Sequence, residues 1–135
     1  MPLVNGVRWF LLIPVAYLGY YAALISGMAF LALAESFCPP DAIVSGMCAA
    51  DYMKPVERTL FVVFPGIAAA LVVLLPALVA PSRIVEVAFA FLAIGSVIAI
   101  VLGTSLQEWP TLGFTLLCGI ATTGAVYMYP GRKPK

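Results

Sequence analysis

The side chains able to do chemistry are few, and the cysteines Cys38 and Cys48 come first. They stand in FCPPDAIVSGMCAADYMKPVER, residues 37–58, the long interruption of an otherwise apolar sequence. Pro39, Pro40 and Pro55 oppose a continuous helix through this stretch, and Asp41, Asp51, Lys54, Glu57 and Arg58 mark it as an exposed connection. In an oxidising compartment the two cysteines are expected to close a structural disulfide, which constrains the loop by about 2–3 kcal/mol in the chain-entropy model. A redox pair is the alternative, but C-x-x-C spacing and a neighbouring His to depress a thiol pKa are both missing. Met47 and Met53 would have to build a soft Cu(I) site without a His or a Met-x-x-Met repeat, so no metal is expected. Cys118, among Leu116, Leu117 and Ile120, reads as an inert buried thiol.

Ionisable groups inside a bilayer are functional by default, so each must be given a depth. Glu35 falls at the end of the first apolar run, Arg58 at the start of the second, and Glu86 about one turn inside the third, where Arg83 can pair with it. None lies at a midplane, where a proton- or cation-coupled carrier needs its carboxylate. Tyr17, Tyr20 and Tyr21 share an arc of about 100° on a helical wheel. Hydroxyls near mid-membrane prefer a partner, so this face should look into protein, a cavity or a headgroup-bearing ligand. With Glu86 it is the candidate ligand or partner face.

The elements that must position these groups are four apolar spans, about 9–34, 59–80, 84–104 and 111–129, in a single domain covering 1–135. The chain is 64% hydrophobic and 10% charged, against an apolar share of about 45–50% in soluble domains. The excess is gathered into runs of the length that a hydrocarbon core about 30 Å thick requires. The expected fold is therefore an all-α integral membrane protein, a compact bundle of four transmembrane helices. The start of the chain imitates a signal peptide, with Ala32-Leu33-Ala34 as a cleavage site, but its apolar run exceeds the 7–15 residues of a signal core and is read as a retained helix. Pro65 and Gly66 predict a kink in the second span, and Pro81-Ser82-Arg83 a tight hairpin into the third.

Arg8, Arg83, Arg132, Lys133 and Lys135 fall on one side of these spans and only Lys54 and Arg58 on the other. The positive-inside rule then places both termini in the cytoplasm and the 37–58 loop in the periplasm or extracellular space, in a multi-pass protein of the plasma (inner) membrane. A net charge of +1 with no basic patch excludes nucleic acid as a partner. The lack of any His removes the usual haem ligand and the usual general base. Gly-rich phosphate loops, a G-x-S-x-G elbow and facing aspartates are missing too, so neither an enzyme nor a cofactor is expected.

Packing information is present instead. Gly19, Ala23 and Gly27 recur every four residues in the first span, Gly95, Ala99 and Gly103 in the third, and Thr115, Gly119 and Thr123 in the fourth. Such rows let helix backbones approach closely. The first reading is a non-enzymatic accessory or oligomerising subunit of a membrane complex, partnered by the lipid bilayer and by another membrane protein or further copies of itself. The alternative is a small carrier or channel for a lipid or hydrophobic compound, with the second span and the three tyrosines lining its path. A membrane thiol oxidoreductase using Cys38 and Cys48 comes third.

Overall fold

A computed structural model describes residues 2–80 and 83–128, with side chains from Gly6 onward in the first helix. Pro81 and Ser82, Tyr129 and the basic residues Arg132, Lys133 and Lys135 lie outside the described residues. The chain forms four helices: α1 (Pro2–Ser36), α2 (Met53–Val79), α3 (Ile84–Leu106) and α4 (Trp109–Met128). Each is long and apolar enough to cross a membrane.

Helix α2 begins at Met53, ahead of the expected start at Thr59, because Pro55 falls at its third position. There the missing N–H would have no partner within the helix, so a proline costs nothing. The polar connection is thereby shortened to residues 37–52. Pro65 and Pro76 lie inside α2, and Pro14 inside α1, yet both helices are continuous past them.

α2 packs on all three other helices, whereas α1 rests chiefly on α2, and α3 and α4 pack on each other and on α2. Glycine sets how closely these backbones approach. A Cβ on Gly19 would come within 2.9 Å of Leu75 Cδ1 and 3.2 Å of Leu71 Cβ, and one on Gly27 would meet the Phe64 ring at 3.0 Å. Between α3 and α4, Leu112 lies over Gly103 and Leu92 over Gly119, at 3.0 and 2.9 Å from where a Cβ would stand. Between α2 and α4, Phe114 and Cys118 close over Gly66.

The buried core is thin. Leu12, Ala80 and Val87 form one cluster and Val73, Ala77 and Ala88 another, both at the end of the bundle where α2 gives way to α3. Most other large apolar side chains point outward.

The turn between α3 and α4 is short and tight. Gln107 adopts a left-handed conformation (φ 57°), and the Glu108 N–H reaches back 3.1 Å to the Gly103 carbonyl, the six-to-one bond of a Schellman ending. Arg83, at the entry to α3, is also left-handed (φ 56°).

Candidate functional site

The connection 37–52 is more ordered than its composition suggests. Pro40–Ala42 makes a single 3-10 turn, and β1 (Ile43–Val44) pairs antiparallel with β2 (Met47–Cys48) in the register Ile43 to Cys48 and Val44 to Met47. Ser45 and Gly46 both take positive φ, 54° and 82°, as a two-residue type I′ hairpin turn requires. Cys38 and Cys48 are joined, with Cα atoms 5.9 Å apart. Tyr52, which sequence reasoning passed over, ties this loop to the first helix. Its hydroxyl donates to the Ala34 carbonyl at 3.4 Å and lies 3.8 Å from Cys48 Sγ. Ala34 is in the last turn of α1, and its carbonyl also accepts from the Phe37 N–H at 3.3 Å, so the tyrosine adds a second donor at the helix end. Its position four residues beyond Cys48 was the available signal.

The two methionines near the sulfurs differ: Met47 is exposed at the hairpin, and Met53 is buried at the start of α2. Among the described residues no group of three or more His, Cys, Asp or Glu side chains is placed to hold a metal ion. Cys118 is half-buried and unpaired with another cysteine, and its sulfur packs over Gly66.

Glu86 and Arg83 form an ion pair at 3.1 Å, one turn apart on α3. Both side chains are about two-thirds exposed at 67% and 69%, and such pairs contribute about 0–1 kcal/mol in water. The structure does not bring Glu86 to the tyrosines, which lie on α1.

Those tyrosines form a contiguous aromatic patch. The Tyr21 ring lies 5.9 Å from that of Tyr17 and 5.7 Å, edge-on, from that of Tyr20. Tyr17, Tyr20 and Tyr21 are 61%, 46% and 52% exposed, on the flank of α1 turned away from the buried seam of Leu12, Ala16, Gly19 and Ala23. Consequently they do not join Pro65 in lining a path through the bundle, since the Pro65–Gly66 step is covered by Phe114 from α4. Two shallow open grooves of about 280 and 340 Å³ flank Pro55 and Thr59 on α2, and neither includes these tyrosines.

Most helical hydroxyls other than those of Tyr17, Tyr20 and Tyr21 are bonded within their own helix, Ser96, Thr111 and Tyr127 being exceptions among the described residues. Ser26, Thr59, Thr104, Thr115, Thr122 and Thr123 each donate to the carbonyl four residues back in their own helix, at 2.7–2.9 Å. A tyrosine hydroxyl, at the far end of its ring, cannot do this. Among the described residues Tyr17, Tyr20 and Tyr21 have ring contacts with one another and no hydrogen-bond partner. Tyr21 lies about 18 Å along the helix from Trp9 and about 21 Å from Glu35 at 1.5 Å per residue, close to the centre of the span.

Of the small-residue rows, Gly19, Ala23 and Gly27 are taken up by α2, and Gly103 by α4. A Cβ on Gly95 would meet nothing within 4 Å, so the α3 row is filled at one end and open at the other, with Ala99 half-buried between. No protein family matches the chain, and no match is found among characterised proteins or solved structures.

Proposed function

We propose that this is a multi-pass membrane protein acting as a non-enzymatic subunit, joined to a membrane-protein partner through the Tyr17, Tyr20 and Tyr21 face of α1. The observation that carries the reading is a cluster of three mid-span tyrosine hydroxyls that have no hydrogen-bond partner among the described residues. Hydrocarbon offers a hydroxyl nothing, and water is further from Tyr21 than its side chain reaches. A neighbouring transmembrane helix with carbonyl or hydroxyl acceptors, from another protein or a second copy, would satisfy all three.

The glycine row of α1 no longer argues for an outside contact, because α2 occupies it. The partner surface thus moves from the small residues to the bulky face beside them. Support for the orientation remains the charge count: Arg8 and Arg83 lie at the end opposite Lys54 and Arg58. Both termini are then cytoplasmic, and the disulfide-closed loop faces the oxidising side of the plasma (inner) membrane.

The test is co-purification in mild detergent of the wild type and of a triple variant, Tyr17→Phe, Tyr20→Phe and Tyr21→Phe, which keeps the rings and removes the hydroxyls. Interhelical hydrogen bonds in membranes average about 0.6 kcal/mol each, so three together give nearly 2 kcal/mol, roughly a twentyfold weaker association. A variant that retains its partner or oligomer undiminished overturns the assignment of this face. A wild-type protein that runs alone and carries a bound lipid in native mass spectrometry gives the face to a hydrophobic cargo instead.

A further inference from the structure

The loop between α1 and α2 carries a second surface that the tyrosine face does not explain. From Ala42 to Ala50 the sequence AIVSGMCAA has no charge, although Asp41 and Asp51 stand immediately on either side. Ile43, Val44 and Met47 are 53%, 60% and 68% exposed, and Phe37 at the root of the loop is exposed as well. A connection lying in water would carry polar side chains at such positions.

The register shows where these apolar groups point. Val44 pairs across with Met47, and Ile43 with Cys48. Successive residues of a strand face opposite sides, so Val44 and Met47 share one face of the hairpin while Ile43 lies on the other. The tip is therefore apolar on both faces. A protein docking against the hairpin would cover one of them; immersion covers both.

Backbone polarity is the usual obstacle to immersing a loop. Here much of it is internally paired: β1 and β2 bond to each other, the Ala49 N–H donates to the Ala42 carbonyl at 2.8 Å, and the Ala42 N–H to the Pro39 carbonyl at 3.0 Å. The Cys38–Cys48 bond closes the ring, and Tyr52 fastens its base to the end of α1. The depth is also suitable. From Trp9 to Ser36, α1 rises about 40 Å, close to the 40–45 Å of a bilayer including its headgroup layers. The loop thus starts at the headgroup level.

We propose that the disulfide-closed hairpin 38–48 is an interfacial anchor, its tip of Ile43, Val44 and Met47 buried in the headgroup and upper acyl region of the leaflet it faces. The bond holds the strands together so that the tip enters with its amides paired. The inference rests on the membrane residence proposed above and is independent of the partner at the tyrosine face.

Single-tryptophan reporters in nanodiscs test it. In a Trp9→Phe, Trp109→Phe background, Met47→Trp and Ile43→Trp report on the two faces of the tip, Asp51→Trp on the base of the loop, and Ile25→Trp on the exposed side of α1. Both tip reporters are expected to emit to the blue of the Asp51→Trp protein, to be quenched by phospholipids brominated high on the acyl chain, and to be shielded from iodide. Iodide quenching of either tip reporter without lipid quenching overturns the anchor, and shielding from both quenchers gives the tip to a protein. If Ile25→Trp also escapes lipid quenching, the membrane reading itself falls; if Ile25→Trp is quenched and the tip is not, only the anchor does. Retention of the disulfide by non-reducing mass measurement confirms that each variant keeps the hairpin.

Discussion

At the glycines of the α1–α2 hairpin one helix supplies the small residues and the other the large ones: Gly19 and Gly27 of α1 receive Leu71, Leu75 and Phe64 of α2. In the α3–α4 hairpin the exchange is mutual, with Leu112 over Gly103 and Leu92 over Gly119. Both arrangements bring backbones close, but they leave different remainders. A mutual seam uses bulk from both helices. A one-sided seam leaves much of the bulk of α1 unused: Leu12 and Phe30 pack toward the other helices, while Phe10, Tyr17, Tyr20 and Tyr21 point outward. The helix held by the fewest neighbours is thus also the one with the most large side chains on display, which is why the partner surface is placed there.

The difference should break most visibly at α1. The double variant Gly19→Leu, Gly27→Leu forces α1 away from α2, and at about 1–3 kcal/mol for each overpacked site it should show the largest fall in apparent melting temperature in detergent. Gly103→Leu alone should cost less, because Gly119 still receives Leu92. Gly95→Leu, facing open space, should stay within about 0.5 kcal/mol of wild type. A Gly95→Leu protein that is stable but drops out of its complex would move the partner surface to α3. A double variant as stable as wild type would remove the one-sided seam from the argument.

A middle-sized effect separates the connections. Replacing Cys38 and Cys48 with Ser should cost about 2–3 kcal/mol and open residues 37–52 to protease, while the link at Gln107 and Glu108 stays resistant. Equal protection in both proteins would show that Tyr52 and the hairpin hold the loop unaided. A smaller effect lies in the other link. Gln107→Gly relieves a left-handed residue (φ 57°) and should gain at most about 1 kcal/mol in thermal stability, the steric relief being offset by the freedom glycine adds to the unfolded chain.

Much of this architecture was legible in the sequence, because a bilayer imposes continuous apolar runs that composition alone reveals. The cysteine pair was legible from its setting between two such runs, and the Arg83–Glu86 pair from helical spacing. The start of α2 was not, because Pro55 reads as a breaker unless its place in the first turn is known. The hairpin escaped notice because strands of two residues leave no periodicity, although Ser45-Gly46 is a turn signal. The row at Gly19, Ala23 and Gly27 announced a contact without naming the surface that fills it, for a small residue records closeness and not identity. Only the packing on Leu71, Leu75 and Phe64 showed that the row is spent inside the protein.

The central place of α2 has a consequence for how the protein is made. Synthesis runs from the N-terminus, and α1 emerges with a groove that nothing yet fills. The next helix to appear is the one that fills it, so α1 waits only for its immediate successor. When α3 and α4 follow, they meet each other through a two-residue link and find α2 already in place as their common neighbour. Every major contact is thus made with a segment recently synthesised or already seated, and no helix must be held unpartnered until the chain is finished. What stays unpartnered among the described residues is the outer flank of α1, the side its successor does not reach.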